Sequence, residues 1–183
     1  MVRETETEQR MSDESDTTPT QANGQIDERM LNDGSGYQAC FGCGARNMNG
    51  LQLVFRHEGD LIVAEHTPDE RFQGFPGVLH GGVLATMLDE TLSRAAVFAG
   101  KWMMTARLEI RYRRAAPVGQ ELRVWAQPKQ VRSRMVSAHG AVALASDPSV
   151  IFAEADGLFM PITADYEREM VSQRPELAGF FQR

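Results

Sequence analysis

The stretch GVLHGGVLATMLDETLSRAAVF, residues 77–98, divides this chain into two parts with different patterns. Residues 83–98 contain neither Gly nor Pro and are rich in Leu, Ala and Met, which predicts a single helix. Apolar residues occur on most sides of it, as is typical of a helix enclosed by other elements. Gly100 is placed to end it as a C-cap. Two adjacent acids, Asp89 and Glu90, nevertheless lie inside this apolar segment.

Strand patterns flank the predicted helix on both sides. Residues 51–58 and 61–68 are predicted to form a hairpin that turns at Gly59 and Asp60, and residues 69–77 to form a loop. After the helix, apolar and polar residues alternate with the period of a half-buried strand. Pro128 predicts a bulge or an edge. The four strands are predicted in RLEIRYRRA (107–115), ELRVWAQPKQVRSR (121–134), MVSAHGAVALAS (135–146) and IFAEADGLFMPI (151–162).

This order of elements indicates an α+β fold. Two strands, one long helix and four further strands favour an antiparallel sheet wrapped around a single central helix. One helix cannot cover both faces of a sheet, so a partner subunit is expected to complete the burial. We predict one folded domain over residues 37–163, followed by a C-terminal tail, 164–183, with a short helix.

The charge of the chain is concentrated at its N-terminus. Residues 1–36 hold nine of the 25 acidic and three of the 19 basic residues, and therefore carry the whole net charge of −6. Such a segment is predicted to be a disordered acidic tail, and the balanced remainder argues against a nucleic-acid partner. The first residues contain no apolar run, and no run of about 18 to 20 apolar residues occurs elsewhere, so we expect a cytoplasmic protein with neither a secretory leader nor a membrane partner.

Two motifs give the chain a family resemblance. His80, Gly81 and Gly82 precede the helix, and Asp89 follows the histidine by nine residues. With the lead CFGCGARNMNGLQL (residues 40–53) and the strand order, residues 38–163 resemble the hotdog-fold acyl-CoA thioesterases of the PaaI type. The resemblance implies a hotdog fold, a dimer or dimer of dimers, and hydrolysis of an acyl-CoA substrate.

The chemistry of thioester hydrolysis suits these residues. A carboxylate can activate water as a general base or attack the carbonyl itself, and backbone N–H groups at a helix N-terminus can receive the developing negative charge. Gly81, supported by Gly82, is the predicted oxyanion side, and Asp89 is the predicted base or nucleophile. At about 100° per residue, Asp89 lies on nearly the same helix face as Gly82. Glu90 is turned away and is expected to pair with Arg94 at i+4.

The spacing of Gly81 and Asp89 predicts a site shared between subunits. Eight helical residues span roughly 12 Å, whereas groups that act on one carbonyl must lie within a few ångströms of it. A two-fold dimer in which Gly81 of one subunit faces Asp89 of the other satisfies both requirements. The resemblance implies the same arrangement.

The sequence does not fix the roles of three further candidate site residues. Thr105, sixteen residues after Asp89, could position the attacking water or satisfy a turn at the start of a strand. His80 could orient the substrate carbonyl or cap the helix. Many PaaI-type proteins have Asn or Gln six residues before the histidine, where this chain has Gly74, so Gln73 is the nearest candidate for a substrate-binding amide.

The two cysteines of the chain, Cys40 and Cys43, could be half of a zinc site completed by His57, His66 or a second subunit. We predict a reduced structural turn instead, with no metal and no cofactor. Two other functions remain open. One is a hotdog enoyl-thioester hydratase, and the other is a non-catalytic acyl-CoA-binding protein.

Overall fold

The computed structural model describes residues 38–97 and 102–178. Before the central helix lie β1 (Phe55–Glu58), β2 (Leu61–His66), a 3-10 turn (Glu70–Phe72), β3 (Gln73–Phe75) and β4 (Val78–Leu79). The helix, α1 (Gly81–Ala96), is followed by β5 (Met103–Tyr112), β6 (Leu122–Arg132), β7 (Met135–Leu144), β8 (Asp147–Pro161), α2 (Ala164–Gln173) and a 3-10 turn (Pro175–Leu177).

Six of the strands form one antiparallel sheet in the order β1-β2-β6-β7-β8-β5. The predicted α+β class, with a large antiparallel sheet and a helix, is confirmed. The short strands β3 and β4 form a separate ribbon that leads into α1. Within the described residues, β5 is an edge strand whose only strand partner is β8.

The core lies between α1 and one face of the sheet. Helix α1 contacts β2, β5, β6, β7 and β8. Its fully buried apolar residues recur at helical spacing, and Thr91 keeps its hydroxyl satisfied within this core by donating to the Met87 carbonyl at 2.7 Å. Alternate residues of the strands supply the facing surface. They include Ile62, Ala64, Leu122, Val124, Ala126, Val136, Ala138, Ala153, Ala155 and Phe159.

The structure corrects several predicted boundaries. Strand β1 begins at Phe55 rather than at residue 51, because the N–H groups of Leu51 and Leu53 donate to carbonyls of the preceding turn rather than to a neighbouring strand. The helix begins at Gly81 and ends at Ala96, since His80 supplies the cap that starts it. Strand β8 begins at Asp147, four residues earlier than predicted. The predicted irregularity at Pro128 is confirmed, because the β6–β7 register shifts between Pro128 and Gln130.

Some predictions concern residues outside those described, namely the acidic tail over 1–36 and the C-cap at Gly100. The division into domain and tails therefore stays a prediction. A short, exposed helix, α2, does follow the last strand. None of the helices within residues 38–97 and 102–178 is long and apolar enough to cross a bilayer.

Candidate active site

The N-terminus of α1 is capped by the histidine that precedes it. His80 has extended backbone angles, φ −64° and ψ 134°, and its Nδ1 accepts a hydrogen bond from the Gly82 N–H at 3.0 Å. The His80 N–H donates to the Phe72 carbonyl at 2.9 Å, which ties the cap to the preceding loop. Of the two roles left open for His80, the structure shows the cap. A role in orienting substrate stays a prediction.

Gly74 packs against the same histidine. A Cβ atom on Gly74 would lie 3.2 Å from His80 Cδ2, so there is little space for a side chain here. A side chain here would require His80 to shift by a few tenths of an ångström, which favours glycine where the resemblance leads one to expect an amide. The side-chain amide oxygen of the neighbouring Gln73, Oε1, accepts from the Gly77 N–H at 3.2 Å and thereby closes the turn between β3 and β4. Substrate binding by Gln73 stays a prediction.

The two glycines of the motif differ in their backbone contacts. The Gly82 N–H is used by the cap, and the Gly81 carbonyl accepts from the Tyr112 hydroxyl at 3.0 Å. Within the described residues, the Gly81 N–H donates to no acceptor. An N–H group at the positive end of the helix dipole is therefore available to an incoming oxygen.

Asp89 and Thr105 are brought together by the packing of α1 on β5. The Thr105 hydroxyl donates to Asp89 Oδ1 at 2.7 Å. Asp89 is half-buried, and this burial raises the pKa of its carboxyl group, with the charge of Glu90 acting in the same direction and the Thr105 hydrogen bond opposing both. The arrangement holds one carboxylate oxygen in a defined place and leaves the other unbonded within the described residues.

Glu90 points into a different environment. Its carboxylate lies 3.9 Å from Arg94 Nη2, which confirms the predicted i+4 ion pair. Its other oxygen accepts from the Cys40 thiol at 3.2 Å, and Arg94 also donates to Cys43 Sγ at 3.0 Å. Burial raises the pKa of Glu90 to about 7. The two adjacent acids therefore lie in separate surroundings and have different partners.

Sequence reasoning missed two of these contacts. It did not connect the cysteine turn to Glu90, and it did not single out Tyr112. The partners lie 50 and 31 residues apart, respectively, so no local spacing could have indicated them. The proposed ligands His57 and His66 do not join the cysteines; in the described part of the chain, the third potential ligand is Glu90.

Comparison with known proteins shows which family the central residues resemble. Residues 76–149, which include the HGG motif and Asp89, match the family model of the thioesterase superfamily. Over these residues the chain is similar to the thioesterase superfamily. The CFGCG turn lies outside the residues that the family model matches.

Individual proteins show the same relationship. Mouse acyl-coenzyme A thioesterase THEM5 is 28% identical over 118 residues, which cover 64% of this chain and 47% of THEM5. The chain thus spans about half the length of that curated relative. The crystal structure of the thioesterase superfamily protein RHA08564 superposes with a TM-score of 0.62 at 29% identity, covering 67% of this chain and 60% of the other. Escherichia coli PaaI superposes with a TM-score of 0.57 at 17% identity, covering 62% and 81%.

Proposed function

We propose that this domain hydrolyses an acyl-CoA thioester to a free acid and CoA. The observation that carries the proposal is the half-buried Asp89 carboxylate, held by Thr105 beside the edge strand β5. Similarity to acyl-coenzyme A thioesterase THEM5 supports this substrate class.

The proposed reaction adds water across the thioester carbonyl. Asp89 takes a proton from water as the water oxygen bonds to the carbonyl carbon, or attacks that carbon itself to give an anhydride that water then cleaves. The carbonyl oxygen becomes negative in either case, and the Gly81 N–H donates to it. The carbon–sulfur bond then breaks, and the CoA thiolate leaves and takes up a proton.

The position of β5 favours a site built from two copies of the chain. Asp89 lies beside Thr105 near the start of β5, whereas Gly81 is bonded to Tyr112 at its end. If two copies pair their β5 edges antiparallel about a two-fold axis, the start of one β5 lies beside the end of the other. Gly81 of one copy is then directed towards Asp89 of the second copy, as the roughly 12 Å between them in one helix requires.

The first test measures CoA release from a panel of short, long and aromatic acyl-CoAs. We expect Asp89→Asn to lower turnover by several orders of magnitude while the circular dichroism spectrum and melting temperature are retained. Asp60→Asn makes the same chemical change in the exposed β1–β2 turn and should leave turnover unchanged. Equal turnover by Asp89→Asn and its parent would refute the assignment. Hydration of crotonyl-CoA without CoA release would favour the hydratase.

A second test asks whether the site is shared between copies. Asp89→Asn and Gly81→Val are each expected to be inactive alone. Refolding an equal mixture lets mixed dimers form, and each mixed dimer contains one site with both residues intact. Random mixing should restore about a quarter of the parental activity. A mixture as inactive as its components, with subunit exchange shown by a mass-tagged copy, would contradict the shared site but not the thioesterase activity.

A further inference from the structure

A cluster of three potential metal ligands lies where the N-terminal turn meets α1. The Sγ atoms of Cys40 and Cys43 and a carboxylate oxygen of Glu90 all lie within 4.8 Å of one another. Two of these residues come from the turn before β1, and the third comes from the middle of the helix. Glu90 is turned by about 100° around the helix from Asp89, and the cluster takes no part in the proposed hydrolysis.

The turn is shaped to present its sulfur atoms. The Gly42 N–H donates to Cys40 Sγ at 3.3 Å, and the Gly44 N–H donates to the Cys40 carbonyl at 3.0 Å. A Cβ atom on Gly42 would lie 2.2 Å from Glu90 Cγ, so only glycine allows the turn to close over the carboxylate. An N–H group directed at a cysteine sulfur stabilises the thiolate, which is the form that binds metal.

The charges of the cluster match a divalent cation. In the metal-binding form, the two thiolates and the carboxylate carry three negative charges, and Arg94 contributes one positive charge at 3.0 Å from Cys43 Sγ. The net surplus of two negative charges lies in a largely buried place, where an uncompensated charge is costly. Binding of a divalent cation makes the whole cluster neutral.

The ligand types and their spacing select zinc among the common divalent ions. Thiolate ligands favour Zn²⁺ over Mg²⁺ and Ca²⁺, which prefer oxygen. Zinc–sulfur bonds of about 2.3 Å in a tetrahedron place two sulfur atoms about 3.8 Å apart, within the spacing of this cluster. We propose that Cys40, Cys43 and Glu90 bind one Zn²⁺, with water in the fourth position, and that the ion fastens the N-terminal turn to α1.

Metal content and affinity test the site in tag-free, full-length protein kept reduced. Elemental analysis should find about one zinc per chain, and cobalt titration of the chelator-treated protein should produce thiolate-to-cobalt charge-transfer absorption. Cys40→Ser, Cys43→Ser and Glu90→Gln should each weaken zinc affinity more than about tenfold, measured by competition with a chromophoric chelator. Asp89→Asn, one residue from Glu90, should bind zinc as the parent does.

Two results would overturn the site. One is a reduced parent protein that binds no zinc or cobalt, which would mean that the cysteine turn is only a hydrogen-bonded structural feature. The other is an unchanged zinc affinity in Glu90→Gln, which would show that the helix supplies no ligand. This result can be read even if a cysteine variant fails to fold. Asp89→Asn tests the two proposals separately, because it should lose the proposed hydrolysis and keep the zinc.

Discussion

The hydroxyl of Thr105 offers a sharp test of the candidate active site. Thr105→Val keeps the shape of the side chain and removes the donor that holds Asp89 Oδ1 at 2.7 Å. Thr105→Ser keeps the donor and removes only a methyl group, so it is the matched control. Valine and threonine both suit a strand, and β5 should therefore form in either variant.

The size of the effect follows from the strength of this hydrogen bond. A hydrogen bond to a charged group contributes about 1.5–3 kcal/mol. If the bond is needed in full to orient Asp89 in the transition state, its loss lowers kcat by roughly 10- to 150-fold, since about 1.4 kcal/mol corresponds to a factor of ten. The reaction itself brings water to this site, and that water can partly replace the lost hydroxyl, so we expect a decrease near the lower end, about tenfold.

The assay is steady-state release of CoA from the best acyl-CoA of the panel. We expect kcat to fall in Thr105→Val with little change in KM, because the bond orients the carboxylate rather than the substrate. Thr105→Ser should retain most of the activity. A kcat within twofold of the parent in Thr105→Val, or equal losses in both variants, would show that the hydroxyl does not position Asp89.

Three further substitutions probe how the site is supported. Gly42→Ala should destabilise the fold by about 1–3 kcal/mol in urea unfolding, because the new Cβ overlaps Glu90 Cγ, and an unchanged midpoint would contradict the close packing. His80→Ala should lower stability by about 0.5–2 kcal/mol through loss of the helix cap, whereas His80→Asn, which can also cap, should lose less. Leu88→Ala, at a fully buried position in α1, should cost about 2–5 kcal/mol, and a smaller cost would mean that the core collapses around the cavity.

Local patterns were sufficient to predict the secondary structure that determines the fold class. The Gly- and Pro-free run from Val83 predicted α1, and the alternation in residues 107–115 and 121–134 predicted strands of one antiparallel sheet. These patterns are reliable because helical and strand periods depend on neighbours a few residues apart. The ends of elements were less accurate, since the start of α1 depends on the cap that His80 makes and β1 begins only after a compact turn.

The candidate site was predictable in part. Helix geometry separated Asp89 from Glu90, and the structure places the two in different surroundings, with Glu90 paired to Arg94. The same geometry leads to the shared-site proposal, because the rise per residue alone keeps Gly81 far from Asp89. Thr105 could be named as a candidate, but whether its hydroxyl reached Asp89 depended on how β5 packs against the helix.

By itself, the sequence determined a central helix, the strands that surround it and the divergence of the two adjacent acids. The tertiary structure alone decided which distant groups complete each environment. It brought the Thr105 hydroxyl to Asp89, the Tyr112 hydroxyl to Gly81 and the cysteine turn to Glu90, across 16, 31 and 50 residues of chain. Such contacts are set by the burial of α1 against the sheet, which acts on the whole domain, whereas periodicity and capping act only within a few residues.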